Sequence, residues 1–183
     1  MLYITGDTHN TVDMANVSAK NMKRCCAEQN ADYQGISNLI ILGDFGLPWC
    51  ECPVDEAGIH PTDPTDRYLL KWYGQKPFRI LAVMGNHDNY DMIEKLPEAE
   101  MFGGKVLKVS ENVFYLKRGE IYNFAGEGNS AKLQKDSTVQ FNDEVESMIS
   151  YKKWFFGHWH SDWGYENFAE SKYVPLYRMG VVI

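Results

Sequence analysis

The stretch RILAVMGNHD, residues 79–88, joins a largely apolar run directly to Gly-Asn-His-Asp. A short apolar run that ends at a glycine is typical of a buried β-strand, so the polar residues would lie at the end of that strand. Asn, His and Asp side chains bind metal ions and carry out acid–base chemistry. The stretch therefore predicts a strand whose C-terminal end contributes to a functional site.

The same arrangement occurs three more times along the chain. The further examples are LYITGDTH (residues 2–9), LIILGD (residues 39–44) and WFFGHWH (residues 154–160). Four of the five histidines belong to these strand ends. Four polar strand ends in one chain favour a single site at which they meet.

The first half of the chain alternates strand-like and helix-like segments. Residues 2–5, 38–42 and 79–84 are predicted strands, and Val12 to Asn30 and Asp66 to Tyr73 are predicted helices. Such alternation is typical of an α/β fold with a largely parallel sheet covered by helices. Residues 49–63 are rich in turn formers and are predicted to be a loop.

The second half has shorter segments with turn residues between them. Three short strands at 105–109, 112–116 and 120–124 are predicted to form an antiparallel meander. The remaining predicted elements are a helix at 142–150, a strand at 153–156, and a closing hairpin of residues 173–177 with 179–183.

Length and charge restrict the class of protein. A chain of 183 residues is expected to form a single domain over residues 1–183, with enough length for a sizeable core. The net charge of -7 argues against binding to a nucleic-acid duplex, which requires a basic surface. Because no run approaches the roughly 18 apolar residues of a membrane span and no secretory signal is visible, we expect a cytoplasmic protein without a membrane partner.

The four cysteines do not follow the spacing of a paired C-x2-C zinc frame. Cys25 and Cys26 are adjacent, and Cys50 and Cys52 are separated by one residue. Ordinary reduced thiols are the favoured interpretation, in keeping with a reducing compartment. A metal or redox site at Cys50-Glu51-Cys52 is the alternative.

The strand ends offer a mixed set of oxygen and nitrogen ligands. The candidate ligands are Asp7, His9, Asp44, Asn86, His158 and His160. Asp7 and His9 are two residues apart, so both side chains fall on one side of an extended chain and can chelate one ion. The two oxygens of Asp44 can bridge two ions. Such ligands suit Mn, Fe, Zn, Ni or Co better than a calcium cage.

Each motif alone also has an ordinary structural explanation. Gly-Asp is a common turn pair, and the histidines at 158 and 160 could belong to an edge strand. Taken together and in order, D-x-H, G-D, G-N-H-D and G-H-x-H resemble the calcineurin-like metallophosphoesterases from residue 2 to about residue 163. The resemblance implies a β-sandwich flanked by helices, with a two-metal site in the loops at the strand ends.

The resemblance also implies roles for the individual residues. Asp7, His9 and His160 would hold the first metal, Asp44 would bridge, and Asn86 and His158 would hold the second. His87 would lie beside the substrate and protonate the leaving oxygen. Two cations roughly 3.5–4 Å apart would activate water for attack on phosphorus. Asp88 would orient His87 or, alternatively, cap the loop.

One histidine of the family pattern is missing from this sequence. No histidine lies between His87 and His158, and residues 125–132 resemble a linker. We infer that part of the central sheet and one ligand of the second metal have been deleted, which would weaken the second site. Candidate replacement ligands are His60, Glu127, Asp136 and Asp143. A catalytically impaired metal- or phosphate-binding protein is the alternative, and a homodimer would cover exposed sheet edges.

The sequence narrows the substrate only in part. Protein Ser/Thr phosphatases of this superfamily carry an arginine shortly after G-D, and residues 45–49 contain none. The remaining substrates are a small phosphomonoester, a nucleotide or a phosphodiester. Trp49, Trp159 and Trp163 lie near the motifs and could stack on a base or simply pack at the rim.

Overall fold

The computed structural model describes residues 1–124, 130–132, 150–168 and 170–183. The strands are β1 (Leu2–Thr5), β2 (Asn38–Leu42), β3 (Val54–Asp55), β4 (Gly58–Ile59), β5 (Arg79–Val83), β6 (Glu98–Met101), β7 (Gly104–Lys108), β8 (Val113–Leu116), β9 (Ile121–Asn123), β10 (Ser130–Lys132), β11 (Trp154–Phe156), β12 (Tyr173–Pro175) and β13 (Gly180–Val182). The helices are α1 (Ala19–Glu28), α2 (Pro64–Gly74), α3 (Tyr90–Ile93) and α4 (Tyr165–Phe168). None of the helices described is long and apolar enough to cross a lipid bilayer.

Seven strands form a mixed central sheet in the order β13-β1-β2-β5-β8-β7-β6. The four strands β1, β2, β5 and β8 run parallel, whereas β13 pairs antiparallel with β1 and the hairpin β7–β8 is antiparallel. This arrangement confirms the predicted α/β fold. The segment in which a deletion from the sheet is inferred lies largely outside the described residues, so the deletion stays a prediction.

Alternating side chains give the central sheet two buried faces. Tyr3, Leu39 and Ile80 point to the face covered by α1 and α2, where they pack with residues such as Met22 and Leu69. Apolar burial on both faces is what a parallel sheet requires. The helix-covered face therefore forms the larger part of the core.

Among the described residues, the second face of the sheet is covered mainly by strands, and Tyr165 of α4 also packs there. Leu2, Ile40 and Leu81 pack there against Tyr122 of β9 and Val174 of β12. The strands β9–β10 and β11–β12 form two separate two-stranded ribbons. These ribbons supply the second layer of the expected sandwich.

Capping residues determine where the two long helices begin. The predicted helix from Val12 to Asn30 is wrong at its start, because Ser18 is extended and its side chain accepts a hydrogen bond from the amide of Asn21, at 3.3 Å. Helix α1 is preceded only by a 3-10 turn, Met14–Val17. Helix α2 begins after Asp63, whose Oδ1 accepts from the amides of residues 65 and 66. Both caps follow the usual preference for Ser and Asp.

The predicted closing hairpin is wrong. β12 pairs in parallel with β11, and β13 pairs with β1 instead of β12. Asp162 explains the separation, because its carboxylate accepts hydrogen bonds from the amides of Tyr177, Arg178 and Met179 at 2.8–3.0 Å. This capped turn directs the chain from the ribbon back to the edge of the central sheet.

The predicted meander is correct for β7 and β8 but wrong for the third strand. β9 pairs with β10, because Tyr122 is buried in the second core cluster and its hydroxyl accepts a hydrogen bond from Lys117 N at 2.7 Å. The predicted loop at 49–63 contains the small ribbon β3–β4. Residues 142–149 of the predicted helix lie outside the described residues.

The edge strand β6, which pairs with β7, was not predicted from the sequence. Glu98 and Glu100 are exposed on this edge and alternate with the half-buried Ala99 and Met101. Charged side chains discourage pairing between the edges of two sheets. The homodimer therefore gains no support from this edge and stays a prediction.

Candidate active site

The parallel strands bring three of the polar segments to one edge of the sheet. In the register of β1, β2 and β5, Thr5 is opposite Ile41 and Leu42 is opposite Val83. The residues that follow these strands therefore share an edge. The amide of His9 donates a hydrogen bond to the carbonyl of Asp44, at 2.7 Å, so the first two loops are in direct contact.

The glycine of each motif allows the loops to approach closely. A Cβ on Gly85 would lie 2.1 Å from Oδ1 of Asp44, and one on Gly157 would lie 2.2 Å from the carbonyl of Leu42. A Cβ on Gly157 would also lie 2.9 Å from Oδ2 of Asp7. Only residues without a side chain fit at these contacts. The glycines are thus part of the site and not only turn formers.

Asp7 is buried with an unsatisfied oxygen. Its exposed fraction is 1%, and Oδ2 accepts a hydrogen bond from the amide of His158 at 2.6 Å. Oδ1 has no hydrogen-bond partner among the described residues. Burial raises the pKa of Asp7, although the His158 amide opposes this effect. Because buried carboxylate oxygens are normally satisfied, an oxygen in this position suits a cation ligand.

Asp44 lies between the first and third motifs. It is 2% exposed, and its Oδ1 accepts a hydrogen bond from the amide of His87 at 2.9 Å. Its Oδ2 lies 3.4 Å from Nε2 of His9. The carboxylate is therefore positioned from both sides, which is compatible with a bridging ligand.

Asp13 and Tyr177 orient two of the histidines, His9 and His160. Neither residue was predicted from the sequence to belong to the site. Nδ1 of His9 lies 2.9 Å from Oδ2 of Asp13, and the hydroxyl of Tyr177 donates to Oδ1 of Asp13 at 2.8 Å. The Tyr177 ring stacks on the ring of His160, with centroids 4.7 Å apart and an interplanar angle of 9°. The rings of His9 and His160 are also 4.7 Å apart. A carboxylate on the second nitrogen of a histidine is the usual support for a metal ligand.

Four of the six candidate ligands have left-handed backbone conformations. The positive φ angles are 43° at His9, 42° at Asp44, 71° at His158 and 47° at His160. Such angles are uncommon for residues other than glycine and concentrate at functional sites. The sequence offered no signal for them.

Asn86 and His158 are less closely integrated. Both side chains are exposed, and neither makes a hydrogen bond or ion pair with another described residue. The structure therefore brings together the side chains of Asp7, His9, Asp44 and His160. His158 contacts this group through its backbone amide, and Asn86 lies next to His87, whose amide contacts Asp44. The second set of predicted metal ligands is the less complete one.

Asp88 has a different position from the one predicted for an orienting partner of His87. Its carboxylate accepts hydrogen bonds from the amides of Phe45, Gly46 and Gly85 and from the hydroxyl of Tyr115, at 2.6–3.3 Å. Burial raises the pKa of Asp88. These contacts support the alternative role of Asp88, which is to cap and connect the loops.

The candidate replacement ligands receive no support from the described residues. His60 pairs with Asp55 at 2.8 Å, and both side chains are more than half exposed. Glu127, Asp136 and Asp143 lie outside the described residues.

Another group of potential ligands lies at the start of α2. Among the described residues, Cys50, Asp63 and Asp66 form the one group of three with all ligand atoms within 4.8 Å. Both carboxylates in this group already have structural roles. Asp63 caps α2, and Asp66 accepts hydrogen bonds from the amides of Trp49 and Cys50. All four cysteines are free thiols, as predicted.

A cavity of about 460 Å³ opens beside the strand ends. The residues that line it are His9, Asn10, Thr11, Val12, Asp44, Gly46, Trp49, Cys50, Asp63, Thr65 and His87. Of the three tryptophans considered from the sequence, only Trp49 lines this cavity. Trp159 packs edge-on against Phe156. The cavity thus joins three residues of the strand-end motifs to the region in front of α2.

Comparison with known proteins gives a match over almost the whole chain. The family model for calcineurin-like phosphoesterases matches residues 2–177, a range that includes all four strand-end motifs. A search of curated proteins finds no match.

Proposed function

Because the chain belongs to the calcineurin-like phosphoesterase family, we propose that it hydrolyses small phosphate esters with the help of divalent metal ions. The observation that carries this proposal is the unsatisfied, buried Oδ1 of Asp7 beside Asp44 and His9. A cation there would satisfy an oxygen that no described residue satisfies.

Asp7, His9 and His160 would hold the first metal, with Asp44 shared between the two ions. Asn86 and His158 would complete the second site with Asp44. Mn, Fe, Zn, Ni or Co fits this combination of carboxylate, imidazole and amide ligands. When bound, such ions supply Lewis acidity and lower the pKa of water, which makes hydrolysis possible at neutral pH.

His87 is the proposed general acid. Its side chain is exposed in the cavity, and its backbone amide is fixed by Asp44. The centroids of the His87 and His9 rings are 6.1 Å apart, so the proposed general acid lies next to a proposed metal ligand. His87 would donate a proton to the leaving oxygen, a step that typically contributes about 10²–10⁴-fold to the rate.

Asp13 and Tyr177 would position the metal ligands, and Asp88 would hold the loop that carries His87. Asp13 fixes the ring of His9 through Nδ1, which leaves Nε2 for a metal. Tyr177 contacts both Asp13 and the ring of His160. None of these three residues needs to touch the substrate.

Hydrolysis of p-nitrophenyl phosphate and bis-p-nitrophenyl phosphate with added Mn²⁺ tests the proposal. We expect turnover that is lost in Asp44→Asn and strongly reduced in His87→Ala. Asp55→Asn is a matched control, because Asp55 is exposed on the small ribbon β3–β4. Absence of turnover with every divalent metal, in protein shown to be folded, would refute the proposal.

A second candidate is a non-catalytic metal- or phosphate-binding protein with the same fold. Asn86 and His158 favour it, because both side chains are exposed and neither makes a hydrogen bond or ion pair with another described residue, as in an incomplete second site. This candidate predicts about one equivalent of metal per chain and stabilisation by phosphate without hydrolysis. Turnover that disappears in His87→Ala would eliminate it.

A further inference from the structure

The cavity extends well beyond the proposed metal ligands. His9, Asp44 and His87 line one part of it, and Val12, Trp49 and Asp63 line another. We propose that this second part is a subsite for an uncharged aromatic leaving group, such as an aryl group or a nucleoside, and that Trp49 provides its stacking surface. The inference rests on the proposed function, because it names the group attached to the phosphate.

The size of the cavity fits such a substrate. Its volume of about 460 Å³ lies within the range of roughly 300–1,000 Å³ found for small-molecule pockets. A phosphate near His87 would leave the rest of this volume for the leaving group. The presence of Trp49 in the lining therefore brings an aromatic surface within reach of a bound ester.

The backbone of Trp49 is held on both sides. Its amide lies 3.1 Å from each oxygen of the fully buried Asp66, and its carbonyl accepts a hydrogen bond from Asn89 Nδ2 at 2.9 Å. The next amide, of Cys50, also donates to Asp66, at 2.9 Å. A buried carboxylate thus holds the backbone of this short segment.

The side chain of Trp49, in contrast, is 52% exposed. A large apolar ring on a fixed backbone can stack on a ligand with little loss of conformational freedom. Ordinary core packing would have buried the ring. The combination of a fixed backbone and an exposed ring is what a stacking surface requires.

The charges of the lining indicate that the leaving group is uncharged. No lysine or arginine is present among the described residues that line the cavity, whereas Asp63 is. A second phosphate or a carboxylate on the leaving group would therefore lack a cationic partner and would approach an acidic side chain. Nucleoside di- and triphosphates fit this part of the cavity poorly.

Non-hydrolysable phosphonates separate binding from chemical reactivity. We would measure binding of methylphosphonate, phenylphosphonate and 4-carboxyphenylphosphonate to the Mn²⁺-loaded full chain by calorimetry. We expect phenylphosphonate to bind about five- to tenfold more tightly than methylphosphonate, a typical effect of one aromatic stacking contact. The added carboxylate should cancel most of this gain.

Substitution of Trp49 assigns the effect to one residue. In Trp49→Ala the phenyl and methyl compounds should bind equally, whereas Trp49→Phe should retain most of the preference. Trp163→Ala is the control, because Trp163 is 46% exposed but does not line the cavity. Circular dichroism of each variant shows whether it folds.

Three results would overturn the inference. They are equal binding of phenyl- and methylphosphonate to the unmodified protein, an unchanged preference in folded Trp49→Ala, and equally tight binding of the carboxylated compound. Failure of all three phosphonates to bind would overturn the proposed function and the subsite with it. The two failures are therefore distinguishable.

Discussion

Replacing Asp13 with asparagine should weaken Mn²⁺ binding without unfolding the protein. The two oxygens of Asp13 have separate partners, Nδ1 of His9 at 2.9 Å and the hydroxyl of Tyr177 at 2.8 Å. Asparagine has one acceptor oxygen and no charge. If the asparagine oxygen accepts from His9, its amide group faces Tyr177 and must donate to the hydroxyl instead of accepting from it. Both hydrogen bonds also lose the negative charge that strengthens them.

The expected magnitude follows from these contacts. A hydrogen bond to a charged group contributes about 1.5–3 kcal/mol, and both Asp13 and His9 are less than one-fifth exposed, so solvent compensates for little of the loss. Since about 1.4 kcal/mol corresponds to a tenfold change, Mn²⁺ affinity should fall roughly 10- to 100-fold. Substitutions that remove the partner of a metal-binding histidine have effects of this size.

Tyr177→Phe refines the same prediction. It removes the hydroxyl that fixes Asp13 but retains the ring that stacks on His160. We expect an affinity loss of about tenfold or less, and the double variant with Asp13→Asn should be less impaired than the two single losses combined. Tyr165→Phe is a matched control, because the hydroxyl of Tyr165 donates to the carbonyl of Gly180 away from the site.

The assay is competition for Mn²⁺ against a chelating dye, together with thermal unfolding of each metal-free variant. Each variant should remain folded under the assay conditions, with an unfolding temperature lowered by at most about 10 °C, since 1 kcal/mol corresponds to roughly 2–4 °C for a domain of this size. If folded Asp13→Asn bound Mn²⁺ as tightly as the unmodified chain, the view that Asp13 positions His9 would be wrong. An equal loss in Tyr165→Phe would show that the effect is not specific to the site.

Three further substitutions test the packing of the site, and two contrasting variants accompany them. Gly85→Ala should abolish Mn²⁺ binding or destabilise the fold by several kcal/mol, because its Cβ would lie 2.1 Å from Oδ1 of Asp44. Gly74→Ala is the control: a Cβ there has free space, so the variant should be neutral or stabilised by up to about 1 kcal/mol. Asp88→Asn should lower the free energy of unfolding by about 2–4 kcal/mol, and the unfolding temperature with it, because an amide cannot accept all the hydrogen bonds of the carboxylate. His87→Ala, in contrast, should reduce turnover and leave thermal unfolding unchanged. Asp7→Asn should stabilise the metal-free protein by about 1 kcal/mol, since a buried charge with an unsatisfied oxygen is removed, but Mn²⁺ should no longer raise its unfolding temperature. A stabilising effect of Gly85→Ala, an unchanged unfolding temperature in Asp88→Asn, or stabilisation of Asp7→Asn by Mn²⁺ would each contradict the corresponding explanation.

Local sequence signals were sufficient for the strands that carry the site. The apolar runs of β1, β2 and β5 are continuous and end at glycine or just before it, so both the strands and the polar residues after them could be predicted. Parallel pairing then brings their ends together without any further information. The family match covers the part of the chain that contains all four motifs.

The contacts that orient the site could not be predicted in this way. Asp13 and Tyr177 are 164 residues apart, and the pairing of β13 with β1 depends on a turn held by the distant Asp162. The sequence around each of these residues is ordinary. The sequence left two roles open for Asp88 for the same reason, because its carboxylate accepts from amides of a loop about 40 residues earlier.

Asp88 also connects three adjacent strands of the central sheet at the edge that carries the site. One carboxylate connects Gly46, Gly85 and Tyr115, which follow or belong to three adjacent strands, β2, β5 and β8. We therefore expect the loops to open together, because the release of one would leave a buried carboxylate short of donors. In a hydrogen–deuterium exchange experiment, the amides of Gly46 and Gly85 should lose protection at the same rate, as parts of one cooperative unit.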